Sequence, residues 1–480
     1  MGIARRITQF VTILALFFIP TLQSASAADF GSYAFQQIWN RTDQPVLTGK
    51  VNRTWMWGPA PFTGVLLEPY VQGNVAGQQG VRRVQYFDKS RMEITDSTAD
   101  PNSDWYVTNG LLAKEMITGE MQTGDNSYVD YGPAQIDLAG DENDPNSPTY
   151  ATFNSLMSYK PLPLGWTVLQ TVDRHGSVGN DPSAAIYQVT AAHYVAQTNH
   201  DVASVFWDFM NSSGTTFDGT QYSDAKLFSN PFFATGLPIS EAYWTTVKVG
   251  GKPQKVLVQA FERRVLTYTP DNPDGWKVES GNVGRHYYEW RYGSPAALSA
   301  SAVSASKDLN DNWMFLGQVQ NSSKVAYSNV KITVNLYSAD QKVVATQTAY
   351  LDFDSISGGQ TLPFRVWFDS GPAYDHAVTT VSGTLDPLVQ TTDLSFVVIT
   401  SDYLSSGGYH IQATVQNDAK TPVTRPSYIV VLYGADGSII DYSSGFLTLD
   451  SLAPGATSSI DVTMFNTTTD FSRFRVFASD

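Results

Sequence analysis

Val330-Lys-Ile-Thr-Val-Asn-Leu-Tyr-Ser-Ala-Asp340 decides the fold of the tail, because it returns 96 positions later as Pro426-Ser-Tyr-Ile-Val-Val-Leu-Tyr-Gly-Ala-Asp436. Val330, Ile332, Val334 and Leu336 alternate with polar residues, so on a strand they share one face; Tyr428, Val430 and Leu432 do the same. Asp340-Gln341 and Asp436-Gly437 follow as hairpin turns. Outward from this stretch the offset holds. Val319-Gln320-Asn321 recurs as Val415-Gln416-Asn417, and Leu351 to Gln360-Thr361 matches Leu447 to Ala456-Thr457. Three matches at one offset without a gap mark a tandem duplication.

Pro454-Gly455 breaks the second copy before another strand, Ser459–Met464. Seven or so short strands in about 95 residues, with regular turns and no helical period, predict an immunoglobulin-like β-sandwich for each copy. The copies span residues 307–386 and 387–480. An apolar strand running into Leu-Tyr-x-Ala-Asp, then Pro-Gly before the last strands, resembles the FxLYD family of secreted bacterial β-sandwich domains. The first copy departs from it, with Gly358-Gly359 where the second has Pro454-Gly455. The resemblance implies a surface or adaptor role without catalysis.

The larger N-terminal part holds a looser repeat. Gly236-Leu-Pro238 with Glu241-Ala-Tyr243 echoes Gly58-Pro-Ala-Pro61 with Glu68-Pro-Tyr70, and Val258-Gln259-Ala-Phe261-Glu262 echoes Val84-Gln85-Tyr-Phe87-Asp88. Trp276-Lys-Val278 and Gly281 echo Trp105-Tyr-Val107 and Gly110. Val202, Val205, Phe206, Phe209 and Met210 form a helical stripe behind Asp201 as N-cap, with Ala34, Phe35, Ile38 and Trp39 as a shorter counterpart. Hairpins are expected at Val256–Phe261 into Val265–Thr269 and at Arg83–Phe87 into Met92–Thr95. Short helices over Gly110–Ile117 and Asn282–Tyr292 would close the two units. The fold class is therefore multidomain: an N-terminal α+β module of two related units, 28–120 and 201–293, followed by the two sandwiches. Residues 121–200 read as an insertion or connecting region, and the small, uncharged run 294–306 as a linker. The spaced pattern Gly-x-Pro…Glu…Val-Gln-x-Phe…Gly resembles the LGFP type of cell-wall-associated repeat. Residues 30–293 as a whole resemble a family of secreted bacterial proteins without assigned activity, which implies export and surface location.

Residues 1–27 read as a signal peptide: Arg5 and Arg6, an apolar run Phe10–Pro20, and Ala25-Ser26-Ala27 as a cleavage site. Its removal moves the net charge from −15 to −17, because two arginines leave. No later segment reaches membrane-spanning length. The 480 residues are 42% hydrophobic and only 16% charged, too apolar for a disordered chain. Thirty Lys+Arg against 45 Asp+Glu, with no basic run after the leader, exclude nucleic acid as a natural partner. Zero cysteine excludes disulfides, thiolate metal sites and a cysteine nucleophile.

No Gly-x-Ser-x-Gly, Ser-x-x-Lys, His-Glu-x-x-His or Gly-rich nucleotide loop occurs, so no catalytic residue and no cofactor is assigned. His193 and His200 are too far apart in sequence to share a metal on one helix face. Paired carboxylates for glycoside hydrolysis could come from Glu68, Asp88, Glu93 and Glu262. However, Glu68/Glu241 and Asp88/Glu262 recur at matching repeat positions, as residues serving the fold do. Asp137, Asp141 and Asp144, with Glu142 and Asn143, put hard oxygen donors in one loop, the chemistry calcium requires. Trp55 and Trp57 alternate in Arg53-Thr-Trp-Met-Trp-Gly58, which on a strand gives two coplanar indoles of the kind sugar rings stack on. The expectation is an exported, non-enzymatic surface protein that binds cell-wall or extracellular glycan through Trp55 and Trp57. The sandwiches serve it as spacer or protein-contact domains. An exported glycan hydrolase, or a protein-binding component of an envelope complex, are the alternatives.

Overall fold

Ser32 starts the first helix: its hydroxyl accepts the N–H of Ala34, 3.2 Å away, and α1 (Tyr33–Leu47) turns Phe35 and Trp39 into the core. The computed structural model describes residues 28–293, 297–307, 312–369, 372–389, 394–404, 408–464 and 471–479, so the leader expected at 1–27 lies outside the described residues. The remaining helices are short: α2 (Leu112–Thr118), α3 (Tyr150–Leu156), α4 (Ser204–Met210) and α5 (Val283–Tyr292). The expected sizes of α1 and α4 are thus reversed. Val202 lies in a strand and Asp201 caps nothing, because the Gln259 side chain holds that segment extended. Its amide donates to the Asp201 carbonyl and its oxygen accepts Ala203 N–H at 3.1 Å.

Strands β1 (Leu66–Val75), β2 (Gln78–Phe87), β3 (Ser90–Ile94) and β4 (Thr108–Asn109) form an antiparallel meander. A hairpin, β5 (Glu120–Gly124) and β6 (Ser127–Asp130), lies beside it, tied by Tyr70 Oη donating to Asp125 at 2.8 Å. Next come β7 (Gln170–Val172) and β8 (Val178–Asn180), then two small hairpins. These are β9 (Ala191–Val195) with β10 (His200–Ala203), and β11 (Ser213–Phe217) with β12 (Tyr222–Lys226). A second meander follows: β13 (Tyr243–Val249), β14 (Lys252–Ala260), β15 (Val265–Tyr268) and β16 (Val278–Ser280). β7 pairs parallel with β13 at Thr171–Trp244, which extends this sheet to six strands and weaves residues 121–200 into the module.

The same hydrogen bonds occur behind both meanders. Gln85 donates to Asp29 and Thr63 carbonyls and accepts Gly31 N–H; Gln259 donates to Asp201 and Ser240 carbonyls and accepts Ala203 N–H. Thr63 Oγ1 accepts Tyr86 N–H, and Ser240 Oγ accepts Ala260 N–H. The contacts between the halves are reciprocal too. Lys114 N–H at the start of α2 reaches the Glu262 carbonyl, and Arg285 N–H at the start of α5 reaches the Asp88 carbonyl.

The tail is all β. β17 (Leu298–Ala300) and β18 (Ser304–Lys307) both pair with β19 (Trp313–Asn321), so much of the expected linker is edge strand; residues 294–296 lie outside the described residues. β20 (Ala326–Tyr337) joins β21 (Val343–Tyr350), β22 (Ser355–Ile356) and β24 (His376–Asp386), while β23 (Thr361–Phe368) pairs with β19. Phe315 and Val319 on one sheet meet Ile332, Val334 and Leu336 on the other. Three further sheets follow: β25 (Leu394–Tyr403), β26 (Tyr409–Asn417) and β31 (Thr457–Met464); β28 (Ser427–Tyr433), β29 (Ile439–Phe446) and β32 (Arg473–Ser479); and a short pair, β27 (Val423–Thr424) and β30 (Ser451–Leu452). Ile411, Val415, Val430, Leu432 and Ile460 fill their core. The other face of β28, with Ile429, Val431 and Tyr433, is buried against the first pair of sheets. The chain is thus a β-rich, multidomain protein. Among the described residues no helix is long and apolar enough to cross a membrane.

Candidate functional site

Trp57 does not face solvent, which corrects the first expectation. It is fully buried, its indole N–H donates to Thr42 Oγ1 at 3.0 Å, and the Arg264 guanidinium lies 4.4 Å from its ring centre. Nor does the run 53–58 form a strand. The Asp43 carboxylate accepts the N–H groups of Met56, Trp57 and Gly58 at 2.9, 2.7 and 3.0 Å, folding the run into a loop. Burial raises the Asp43 carboxyl, and those three donors oppose the shift. Trp55 is half-buried against the same core. The pair cannot act as a stacking platform.

Asp137, Asp141 and Asp144 do not converge on a calcium site either. Asp137 pairs with Arg174 at 2.6 Å and accepts Asp144 N–H at 2.9 Å. Asp141 accepts the N–H groups of Gly250 and Gly251, and Asp144 those of Asn146 and Lys248. These carboxylates satisfy backbone donors and tie the loop to the β13–β14 turn. No group of three metal-ligating side chains occurs among the described residues.

The recurring acids are structural. Glu68 is fully buried, 3.1 Å from Arg91 and 3.0 Å from Arg291, and accepts the hydroxyls of Tyr86 and Tyr292 at 2.6 Å. Burial alone would raise its carboxyl, but Arg291, Arg91, Arg82 and the Tyr292 hydroxyl pull it below its ordinary value. Glu93 pairs with Arg82 and Arg91 in the same cluster. Glu241 accepts Asp201 N–H and bonds His200 Nδ1 at 2.9 Å. Asp88 pairs with Arg285, and Glu262 accepts Leu237 N–H. His193 stacks on Trp207, with ring centres 3.7 Å apart, while His200 turns its Nδ1 to Glu241.

An open cleft of about 660 Å³ lies elsewhere in the module, between α1, the loop 101–107 and the loop 227–233. Phe228, Phe233, Ile38 and Tyr106 give it apolar walls; Gln37, Arg41, Asn102 and Asp104 give it polar edges. Tyr33 stands 76% exposed at its mouth. Trp105, 48% exposed, packs beside Phe233 with ring centres 5.9 Å apart. Asp104 is the only carboxylate in the lining, so the two close acids of a glycosidase are not assembled there. Sequence reading misses this cleft because its walls come from three separated segments. The one local signal is the aromatic run Leu227-Phe-Ser-Asn-Pro-Phe-Phe233.

No family model matches the chain, and no curated relative matches it. Among solved structures it is similar to red sea bream transglutaminase at 11% identity and a TM-score of 0.14, over 54% of this chain and 43% of that one. It is similar to an exo-β-D-glucosaminidase at 14% identity and a TM-score of 0.13, over 39% and 25%. The exo-chitosanase of Amycolatopsis orientalis gives 12% and 0.14, over 42% and 27%. The chain spans less than half the length of each. Likeness at this level identifies neither a fold nor an activity.

Proposed function

We propose that this is an exported, non-enzymatic surface protein whose N-terminal module binds cell-wall or extracellular glycan in the cleft beside α1. In this reading the module is a duplicated α+β unit, and two immunoglobulin-like sandwiches follow as a rigid spacer. The matched bonds of Gln85 and Gln259, and the reciprocal helix contacts at Glu262 and Asp88, support the duplication.

The observation that carries the site is a break in that symmetry. The counterpart of the cleft would lie between α4, the loop around 272–278 and the segment 49–55, and it is closed. Thr54 N–H donates to the Gly275 carbonyl at 2.8 Å, and Trp276 Nε1 donates to Asn52 Oδ1 at 2.9 Å. A Cβ on Gly275 would come within 2.6 Å of the Asn52 carbonyl. What recurs in both units serves the fold, whereas the opening that only one unit keeps is free to serve recognition. Aromatic faces edged by amides, hydroxyls and one acid suit sugar rings and their hydroxyls.

The test is retention of the chain from Ala28 to Asp480 on purified cell-wall material and a soluble glycan panel, with reducing-sugar release assayed in the same tubes. Retention without release is expected, falling about tenfold or more in Tyr33→Ala/Tyr106→Ala, as for loss of stacking contacts worth about 1.4 kcal/mol or more. Sugar release would move the function to a hydrolase. Unchanged retention in the double variant would remove the cleft as the site.

A further inference from the structure

We infer that the cleft selects a saccharide bearing a carboxylate, read by Arg41; this rests on the glycan-binding reading. Arg41 projects from α1, and its guanidinium is held by two main-chain bonds: Nε donates to the Leu227 carbonyl at 3.0 Å and Nη2 to the Lys226 carbonyl at 2.6 Å. Those bonds fix the plane of the group and leave Nη1 unused. Among the described residues, no carboxylate lies within ion-pair distance of it.

Arg41 is the only cation in the cleft lining, on a chain whose formal charge is −15. A fixed, unpaired guanidinium beside apolar walls attracts an anion more strongly than a solvated surface arginine, because its plane is already ordered and water is partly displaced. Three N–H groups remain, two on Nη1 and one on Nη2, so the contact is made end-on by the outer edge of the guanidinium. That edge fits the two oxygens of one carboxylate brought by a ring that stacks on the aromatic wall.

The polarity of the cleft sets the orientation. Asp104, on the loop 101–107, is the only acid of the lining. It accepts hydroxyl protons and repels a second carboxylate, so the acidic end of the ligand lies toward α1 and the hydroxyl end toward the loop. Arg41 also staples α1 to residues 226–227, and a purely structural role predicts lost stability without altered selectivity.

The experiment compares a uronic-acid oligosaccharide with the same oligosaccharide after its carboxyl groups are reduced to hydroxymethyl groups. Binding is measured by calorimetry to the chain 28–480 at low and moderate salt. The unaltered protein is expected to prefer the carboxylated form by about tenfold, less at higher salt. Arg41→Gln should bind both forms alike, whereas Arg41→Lys, which keeps the charge but not the staple, should retain part of the preference. Thermal melts of each variant separate loss of the staple from loss of selectivity. Equal binding of both forms to the unaltered protein would overturn the inference and leave glycan binding standing; no binding of either would remove both. A tenfold preference that survives Arg41→Gln would also overturn it.

Discussion

Asp201 carries both carboxylate oxygens into the interior without a hydrogen-bond donor, and it is 3% exposed. Burial, reinforced by the neighbouring charge of Glu241 and opposed by His200, pushes its carboxyl up to about 6 from 3.8. Between those values the folded protein holds a proton that the unfolded chain has released. The stability that Asp201 contributes therefore falls as pH rises from about 4 to about 6, and is level above. Glu68 runs the other way: its contribution is complete above its unfolded value of 4.5 and is lost as pH falls toward its depressed folded value. Urea unfolding of the unaltered protein and of Asp201→Asn, at constant ionic strength between pH 4.5 and 7, isolates Asp201 by difference, because burial pushes the His286 ring down to about 4 from 6.5 and its contribution rises over the same range in both proteins. Asp201→Asn should gain on the unaltered protein as pH rises and be the more stable of the two at pH 7. A difference that does not change with pH would assign the titration to another group.

At the scale of the element, the repeated Asn of Val-Gln-Asn is a clamp. Asn321 donates to the carbonyls of Val325, Ile356 and Ser357 at 2.8, 3.0 and 3.0 Å; Asn417 donates to those of Thr421 and Leu452 at 2.9 and 2.8 Å. Both are fully buried at the end of a strand. Asn417→Ala leaves two carbonyls without their donor and should cost about 2–4 kcal/mol, read as a lowered urea midpoint of the tail. The identity of this triplet in both copies is legible in sequence, but its role is not, because the carbonyls it holds lie up to 36 residues away. Alternation predicts the inward face of β28, Val430 and Leu432, and is blind to the outward one. There Ile429 and Val431 are equally buried, by another pair of sheets. Trp55-Met-Trp57 fails for the same reason: a period of two assumes a strand, and the carboxylate that bends the run sits more than ten residues upstream. Both N-terminal hairpins are local and legible, with β2–β3 and β14–β15 at the expected positions.

Across the whole molecule, the two halves of the N-terminal module are held by parts of each other. Gly284, in the first turn of α5, lies so close to the β2–β3 turn that a Cβ would fall 1.9 Å from the Phe87 carbonyl oxygen and 2.6 Å from that of Ser90. Gly284→Ala must push α5 off that turn and disturb Arg291, Tyr292 and Tyr287 behind it. A loss of about 3 kcal/mol or more is expected in equilibrium unfolding, against a near-neutral change for Gly64→Ala, where an added Cβ meets nothing within 4 Å. The burial of Glu68 has a consequence for the order of events during synthesis. Its hydroxyl partner Tyr292 is 224 positions downstream, and Arg291 precedes that residue by one. A ribosome that has made the first meander has made an acid with Arg82, Arg91 and Tyr86 beside it but with two of its partners still to come. The last hydrogen bond and the third arginine reach Glu68 only when α5 arrives, at the far end of the module.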